Sequence, residues 1–299
     1  MWATRPRVAG HPAPTFDLQS HSVHSDGALS PAEVVASAAA AGVALFALSD
    51  HDTTEGVAEA LAAADRAGIR LETATEITAL FDGRQDLHVL GYNIDPDDRA
   101  LVAALARSRG DRENRARAMI EALTGLGFAV DEEMLAQRSA QGQSIGRPHL
   151  ARAVVSRPEN RERLAAAGLL DPTAFLVEYL IEGRPAFVAR AAPSVPEAIE
   201  LIHGAGGVAV WAHPFWDIEN AEAVIEALER FQAAGLDGVE AFYVTHTEEQ
   251  TRLLAAHAAQ HGLLTTGSSD FHGPEHHTFM RFRAFSTYGL EPTLGPLAG

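Results

Sequence analysis

Short apolar β-type runs alternate with helical runs along most of this chain, and that rhythm limits the fold more than any other feature. Seven strand-like segments stand out, at 15–19, 43–49, 69–75, 87–92, 208–212, 238–242 and 263–267. Helical segments at 31–41, 54–67, 196–205, 220–234 and 247–261 separate most of them. The first opens on Ser30-Pro31-Ala32-Glu33, a helix start with an N-cap hydroxyl, Pro at the first position and Glu at the third, and it stops at Gly42. Gly68 ends the second. Strand–helix alternation implies βα units and a parallel sheet, open or closed into a barrel. Between 98 and 185 the rhythm breaks, with Leu101, Leu105, Met119, Leu123 and Leu126 at helical spacing and almost no strand signal. The expected organisation is an α/β domain in two parts, 15–97 and 186–286, around a helical insertion at 98–185.

Composition removes several chemistries. The chain has 23 basic against 40 acidic residues, a net charge of −17, which argues against a surface that coats duplex nucleic acid. All the basic residues are Arg. Without Lys there is no Schiff-base lysine, no P-loop lysine and no carbamylated-lysine metal bridge. Without Cys there is no disulfide framework and no thiolate metal site. No apolar run reaches the length of a membrane helix, and the segment up to Pro14 lacks the apolar stretch of a secretory signal. The default expectation is a soluble cytoplasmic protein. Eleven Arg fall between Arg107 and Arg163 against eight acids, so the insertion is basic within an acidic chain. That stretch reads either as a mixed-charge helical surface or as an anion-binding wall.

Histidines and carboxylates gather just after the strands, where an α/β barrel assembles its active site. Gln19-Ser20-His21 and Ser25-Asp26-Gly27 follow the first strand, and Ser49-Asp50-His51-Asp52-Thr53 the second. Glu76 and His88 lie at the next two. Ala212-His213-Pro214 and Ser268-Ser269-Asp270-Phe271-His272-Gly273 come from the later half. Imidazoles and carboxylates from many strands suit two or three borderline-hard divalent cations such as Mn²⁺, Zn²⁺ or Fe²⁺.

These motifs, in combination and over nearly the whole chain, resemble the polymerase and histidinol phosphatase (PHP) family of metal-dependent phosphoesterases. The branch most similar hydrolyses nucleoside 3′,5′-bisphosphates and short RNA. The resemblance implies a distorted (β/α)₇ barrel with a helical insertion and a metal centre. It places His21, Asp26, His51, Glu76, His88, His213, Asp270 and His272 at metal-ligand positions, with Asp26, His51, Asp270 and His272 also catalytic. It further implies hydroxide attack on phosphorus, activated by the metals, with Glu76 as a bridging carboxylate.

Gln19 departs from the family's His-x-His motif. An amide oxygen is a poorer ligand than imidazole for these ions, so one metal is expected to be held more weakly. His24 lies close enough in sequence to compensate, or to stand outside the shell. For substrate, Gly146-Arg147-Pro148-His149 resembles a phosphate-binding motif of the branch. Arg112 and Arg115, three apart on a helix, could hold a second phosphate. Tyr243 and His246 follow a strand on the same barrel face, and Phe187 could stack a base. His203, His257, His261, His276 and His277 are set aside as ligands. The expected partner is a small phosphorylated substrate, most simply a nucleotide. Histidinol phosphate is the alternative substrate, and a non-catalytic metal or nucleotide-binding module the alternative outside catalysis. An amidohydrolase-type C–N hydrolase is disfavoured because its binuclear members commonly need a bridging Lys.

Overall fold

A computed structural model describes residues 14–82, 84–140, 145–189 and 192–298. The expectation about the segment up to Pro14 therefore lies almost wholly outside the described residues. The chain divides into two compact units, Met1–Ala106 with Pro193–Gly299, and Arg107–Ala192.

The first unit contains β1 (Phe16–Asp17), α1 (Pro31–Ala40), β2 (Leu45–Leu48), α2 (Val57–Ala67), β3 (Arg70–Phe81) and β4 (Arg84–Tyr92), and the start of α3 (Arg99–Gly125). In the second unit α3 continues and is followed by α4 (Glu132–Ala140), α5 (Arg147–Val155), α6 (Arg161–Ala167) and α7 (Pro172–Tyr179). The first unit resumes with α8 (Val195–Gly204), β5 (Val208–Trp211), α9 (Pro214–Asp217), α10 (Ala221–Ala233), β6 (Gly238–Tyr243), α11 (Glu248–His261) and β7 (Leu264–Ser268). The seven strands form one sheet in sequence order. It closes where Leu18 N–H donates to the Gly267 carbonyl at 3.1 Å and Ser20 bridges Phe271 in parallel. The first unit is thus a distorted (β/α)₇ barrel.

The wholly parallel sheet implied by the alternation needs correction at one strand. β4 runs antiparallel to both β3 and β5. No helix intervenes between β3 and β4. Phe81 pairs with Arg84, so the two strands reverse within a few residues, and Asp82 at φ 46° has the left-handed geometry common in tight hairpins. β3 consequently extends to Phe81, six residues beyond the expected end.

The caps follow the sequence. Ser30 accepts from Glu33 N–H while the Glu33 carboxylate accepts from Ser30 N–H, and Ser194 with Glu197 repeats the arrangement at α8. The barrel core packs Trp211, Tyr92, Phe231 and Phe242 among aliphatic side chains, and Tyr92 Oη donates to the Leu18 carbonyl at 2.9 Å. α3 serves two cores. Leu101 and Leu105 belong to the barrel, whereas Met119 and Leu123 pack with Phe128, Leu150, Leu164 and Phe175 in the second unit. Leu126 is exposed. No described helix is long and apolar enough to cross a membrane.

Candidate metal centre

Side chains from all seven strands or the turns after them meet at one end of the barrel. Glu76 lies at the middle of the group, fully buried, and its two oxygens face different histidines. Oε2 is 3.1 Å from His21 Nε2 and 3.4 Å from His51 Nδ1. Oε1 is 2.9 Å from His88 Nδ1 and 3.1 Å from His213 Nε2. Asp270 Oδ1 approaches His21 Nε2 to 3.0 Å. Asp26 closes the other side, 3.5 Å from His21, 3.6 Å from His51 and 3.4 Å from His272. Two overlapping groups have ligand-type atoms close enough to share a cation: His21, Asp26, His51 and His272, and His51, Glu76 and His88.

The donors fit divalent cations for a physical reason. His21 Nε2, His51 Nδ1, Glu76 Oε2 and Asp270 Oδ1 are buried and close together, yet none makes an aligned hydrogen bond. Buried polar atoms left so are costly unless something accepts their lone pairs. The titration behaviour agrees. Burial disfavours charge on His21 and His213, but the carboxylates of Asp270 and Glu76 beside His21, and of Asp217 and Glu76 beside His213, push both well above the usual imidazole range. Burial would lift Glu76, and the nearby His51 and His88 hold it well below the usual carboxylate range. Burial pushes His51 down to about 4, whereas Asp270, buried but flanked by His272 and His21, falls to about 2. A cation supplies the positive charge that these protons otherwise provide, and frees the ring nitrogens to bind it.

The backbone aims the donors. His213 (φ 31°) and Asp270 (φ 53°) sit in the left-handed region, as does Asp52 (φ 53°), strain of the kind that collects at functional sites. The turn carrying Asp26 is tied down by Asp50, which accepts from Ser22 N–H at 2.7 Å, Ser22 Oγ at 2.6 Å and Ser25 Oγ at 2.7 Å. Gly27 in that turn is obligatory, because a Cβ there would lie 2.2 Å from the His21 carbonyl oxygen. Asp52 accepts from Thr78 N–H and hydroxyl, joining the β2 turn to β3. His272 Nδ1 lies 2.7 Å from the Asp270 carbonyl, to which it can only donate, so Nε2 is the nitrogen left to bind metal.

Gln19 is fully buried on the same inner face. Its Oε1 accepts from Ser268 Oγ at 3.3 Å, and its Nε2 has no hydrogen bond. Ser268 Oγ also lies 2.5 Å from Glu240 Oε1, and Glu240 Oε2 accepts from His213 N–H at 2.9 Å. Burial pushes the Glu240 carboxyl up to about 8. Asp17, which accepts from Ser269 N–H and hydroxyl and from Arg283 N–H across the barrel closure, is likewise pushed up by burial, to about 7. Neither residue figured among the sequence candidates. A lone Glu in Val239-Glu240-Ala241 and an Asp inside the first strand were the available signals.

Several candidates take other places. Tyr243 is buried, and its hydroxyl donates to Asp270 Oδ2 at 2.8 Å, which orients a candidate ligand. His246 is buried with Nδ1 3.2 Å from the Ala241 carbonyl, and burial pushes it down to about 3. His24 stands 3.6 Å from Glu55, outside the cluster. Arg112, Arg115, Arg147, His149 and Phe187 all belong to the second unit. There Arg147 is the first residue of α5, and His149 Nδ1 accepts from Gly146 N–H at 3.0 Å. Arg115 Nε donates to the Val188 carbonyl at 2.7 Å and its guanidinium lies 5.6 Å from the Phe187 ring centre. His203 pairs with Asp237 at 2.8 Å, and His257 stacks on His261 at 4.1 Å.

A family model described as the PHP domain matches residues 17–152. A 3′,5′-nucleoside bisphosphate phosphatase of Chromobacterium violaceum is 39% identical over 260 residues, 87% of each chain. The chain belongs to the PHP family. A 5′-3′ exoribonuclease of Haemophilus influenzae is 37% identical over 261 residues, covering 87% of this chain and 90% of that one. A solved structure from Bifidobacterium adolescentis, described as a metal-dependent phosphoesterase, superposes with a TM-score of 0.72 at 31% identity, over 96% of this chain and 95% of that one. As a PHP protein with this cluster, the chain is a metal-binding hydrolase of the phosphoesterase class.

Proposed function

We propose that this PHP phosphoesterase hydrolyses a phosphate monoester of a small nucleotide, foremost a nucleoside 3′,5′-bisphosphate with release of the 3′-phosphate, and acts also on short oligoribonucleotides. The observation that carries the reading is Glu76, one oxygen turned to His21 and His51 and the other to His88 and His213. That arrangement suits a carboxylate shared between two cations. His21, Asp26, His51, Glu76, His88, His213, Asp270 and His272 would hold two or three ions, Mn²⁺, Zn²⁺ or Fe²⁺, with Gln19 at a weaker ninth position. Such ions supply acidified water and neutralise charge developing at phosphorus.

The protein's own part is positioning. Tyr243 fixes the Asp270 carboxylate, Asp50 fixes the turn bearing Asp26, and the Asp270 carbonyl fixes the His272 tautomer. Arg112, Arg115, Arg147 and His149 enter the proposal as partners for substrate phosphates, on their motif and charge. The names of the bisphosphate phosphatase and the exoribonuclease support a nucleotide substrate. Phosphate release with added Mn²⁺ tests the reading against adenosine 3′,5′-bisphosphate, short oligoribonucleotides and histidinol phosphate. The bisphosphate should be turned over with the highest kcat/KM. Turnover of histidinol phosphate alone would replace the proposal, and no turnover of any would leave a binding module.

A further inference from the structure

Beside the metal centre lies a run of aromatic rings that no catalytic role uses. Trp216, on the single-turn α9 directly after His213, is 53% exposed, the most exposed large apolar side chain among the described residues. Its ring centre is 5.5 Å from that of Phe279, inclined at 58°. Phe279 is 5.3 Å from His272 and 6.1 Å from Tyr243, so the run begins at a candidate ligand and at the group orienting another. His276 lies 5.0 Å from Phe279 with the rings 17° apart, and 5.2 Å from His272. Its Nδ1 accepts from Thr278 N–H at 3.2 Å and Phe279 N–H at 3.0 Å, which locks the ring plane and leaves any proton on Nε2. Sequence gave His276 no partner, and Trp216 and Phe279 no notice; their sequence distance from one another hid the cluster.

We infer that the exposed Trp216 and His276, backed by the buried Phe279, form a platform that stacks the base of a nucleotide whose phosphate is held at the metal centre. The inference rests on the phosphoesterase reading above and adds its specificity device. A half-exposed indole alone would carry no meaning, since single exposed apolar residues are ordinary. Here the indole is two ring-to-ring steps from His272, so a molecule anchored there by a phosphate extends its ribose and base along the rings. A charged end beside the ligands and a flat apolar end on the aromatics matches a nucleotide, and stacking on aromatic side chains tolerates any base because each has a π-face. The platform lies wholly in the barrel unit. Phe187, the aromatic singled out in the sequence for base stacking, belongs to the second unit, where the Arg115 guanidinium lies 5.6 Å from its ring centre.

The test compares wild type, Trp216→Phe and Trp216→Ala on adenosine 3′,5′-bisphosphate and on base-free 1-deoxyribose 3,5-bisphosphate. Wild type should favour the nucleotide. Trp216→Ala should raise its KM about tenfold or more with little change in kcat, and Trp216→Phe should keep most of the affinity. The preference for nucleotide over base-free compound should fall by the same factor. Tryptophan fluorescence gives a readout apart from turnover: adenosine 5′-monophosphate should quench wild type and not Trp216→Ala, whose remaining described indole, Trp211, is buried. Metal content and circular dichroism establish that the variants fold. Equal losses on both compounds, no loss on either, or a wild type without preference would overturn the platform alone. A wild type that ignores both bisphosphates but cleaves histidinol phosphate would overturn the substrate reading, and the platform with it.

Discussion

Gln19 puts an amide at a position proposed for a metal ligand, and its neighbours show how the amide is held. Ser268 has one hydroxyl proton and two acceptors within reach, Gln19 Oε1 and Glu240 Oε1. When Glu240 is protonated it can donate to Ser268 Oγ, which frees the serine proton for Gln19 Oε1. The amide oxygen is then engaged with protein, which weakens it further as a metal ligand. After one fixed dialysis, wild type should retain two metals firmly and a third only in part, whereas Gln19→His should approach three by elemental analysis. Three full equivalents in both would show Gln19 to be a competent ligand or a bystander. Glu240 also makes stability depend on pH. Its carboxyl is raised in the folded state from 4.5 to about 8, so the folded chain keeps a proton that the unfolded chain releases. The resulting stability is complete below about pH 4.5 and is lost as pH rises through 8, by at most about 1.4 kcal/mol per unit. Asp17 acts in the same direction with its carboxyl at about 7. Thermal melts in chelator should therefore fall from pH 5.5 to 8.5. Glu240→Gln, which mimics the protonated group, should flatten that slope.

Secondary elements were the most legible level where local chemistry decided them. The Ser30-Pro31-Ala32-Glu33 start, the Gly68 stop and the β5, β6 and β7 segments appear within a few residues of expectation because caps and apolar runs act locally. Strand direction was not legible at β4, since it depends on what joins it to β3. The apolar run of β3 ends at Phe81, and the polar stretch from Asp82 to Asp86 that follows does not by itself announce that the next strand comes straight back. Ligand-bearing motifs were visible for the same local reason, each being a short polar run after an apolar strand. The groups that hold them act across the barrel: Tyr243 was visible as a residue after a strand but not its bond to Asp270, and Asp17 and Glu240 were each a single acid in an apolar strand. Asp50 bridges both cases, lying inside a visible motif while serving a turn 28 residues earlier. Asp50→Ala removes three hydrogen bonds to the Ser22–Ser25 segment and should destabilise the protein by about 2–4 kcal/mol. Metal retention should fall with it. Urea unfolding and chelator competition measure the two effects, and a variant that keeps wild-type stability would show the turn to be self-supporting.

Taken whole, the barrel gains from its metals in the way any folded state gains from a ligand that the unfolded chain cannot match. At a free metal concentration 100 times the dissociation constant this amounts to about 2.7 kcal/mol for one site. Chelation should therefore lower the melting temperature by several degrees, with full recovery on adding Mn²⁺; an unchanged transition would mean that the donors do not bind metal in the folded protein. The sheet closes only when residues near Leu18 meet Gly267 and Ser20 meets Phe271. His21 and His272, separated by most of the sequence, stand on either side of that seam. A ribosome making this chain therefore exposes His21, Asp26 and His51 long before Asp270 and His272 have been translated. The full donor set therefore exists only once the last strand has joined the first, and a nascent chain carries the early histidines as an incomplete set.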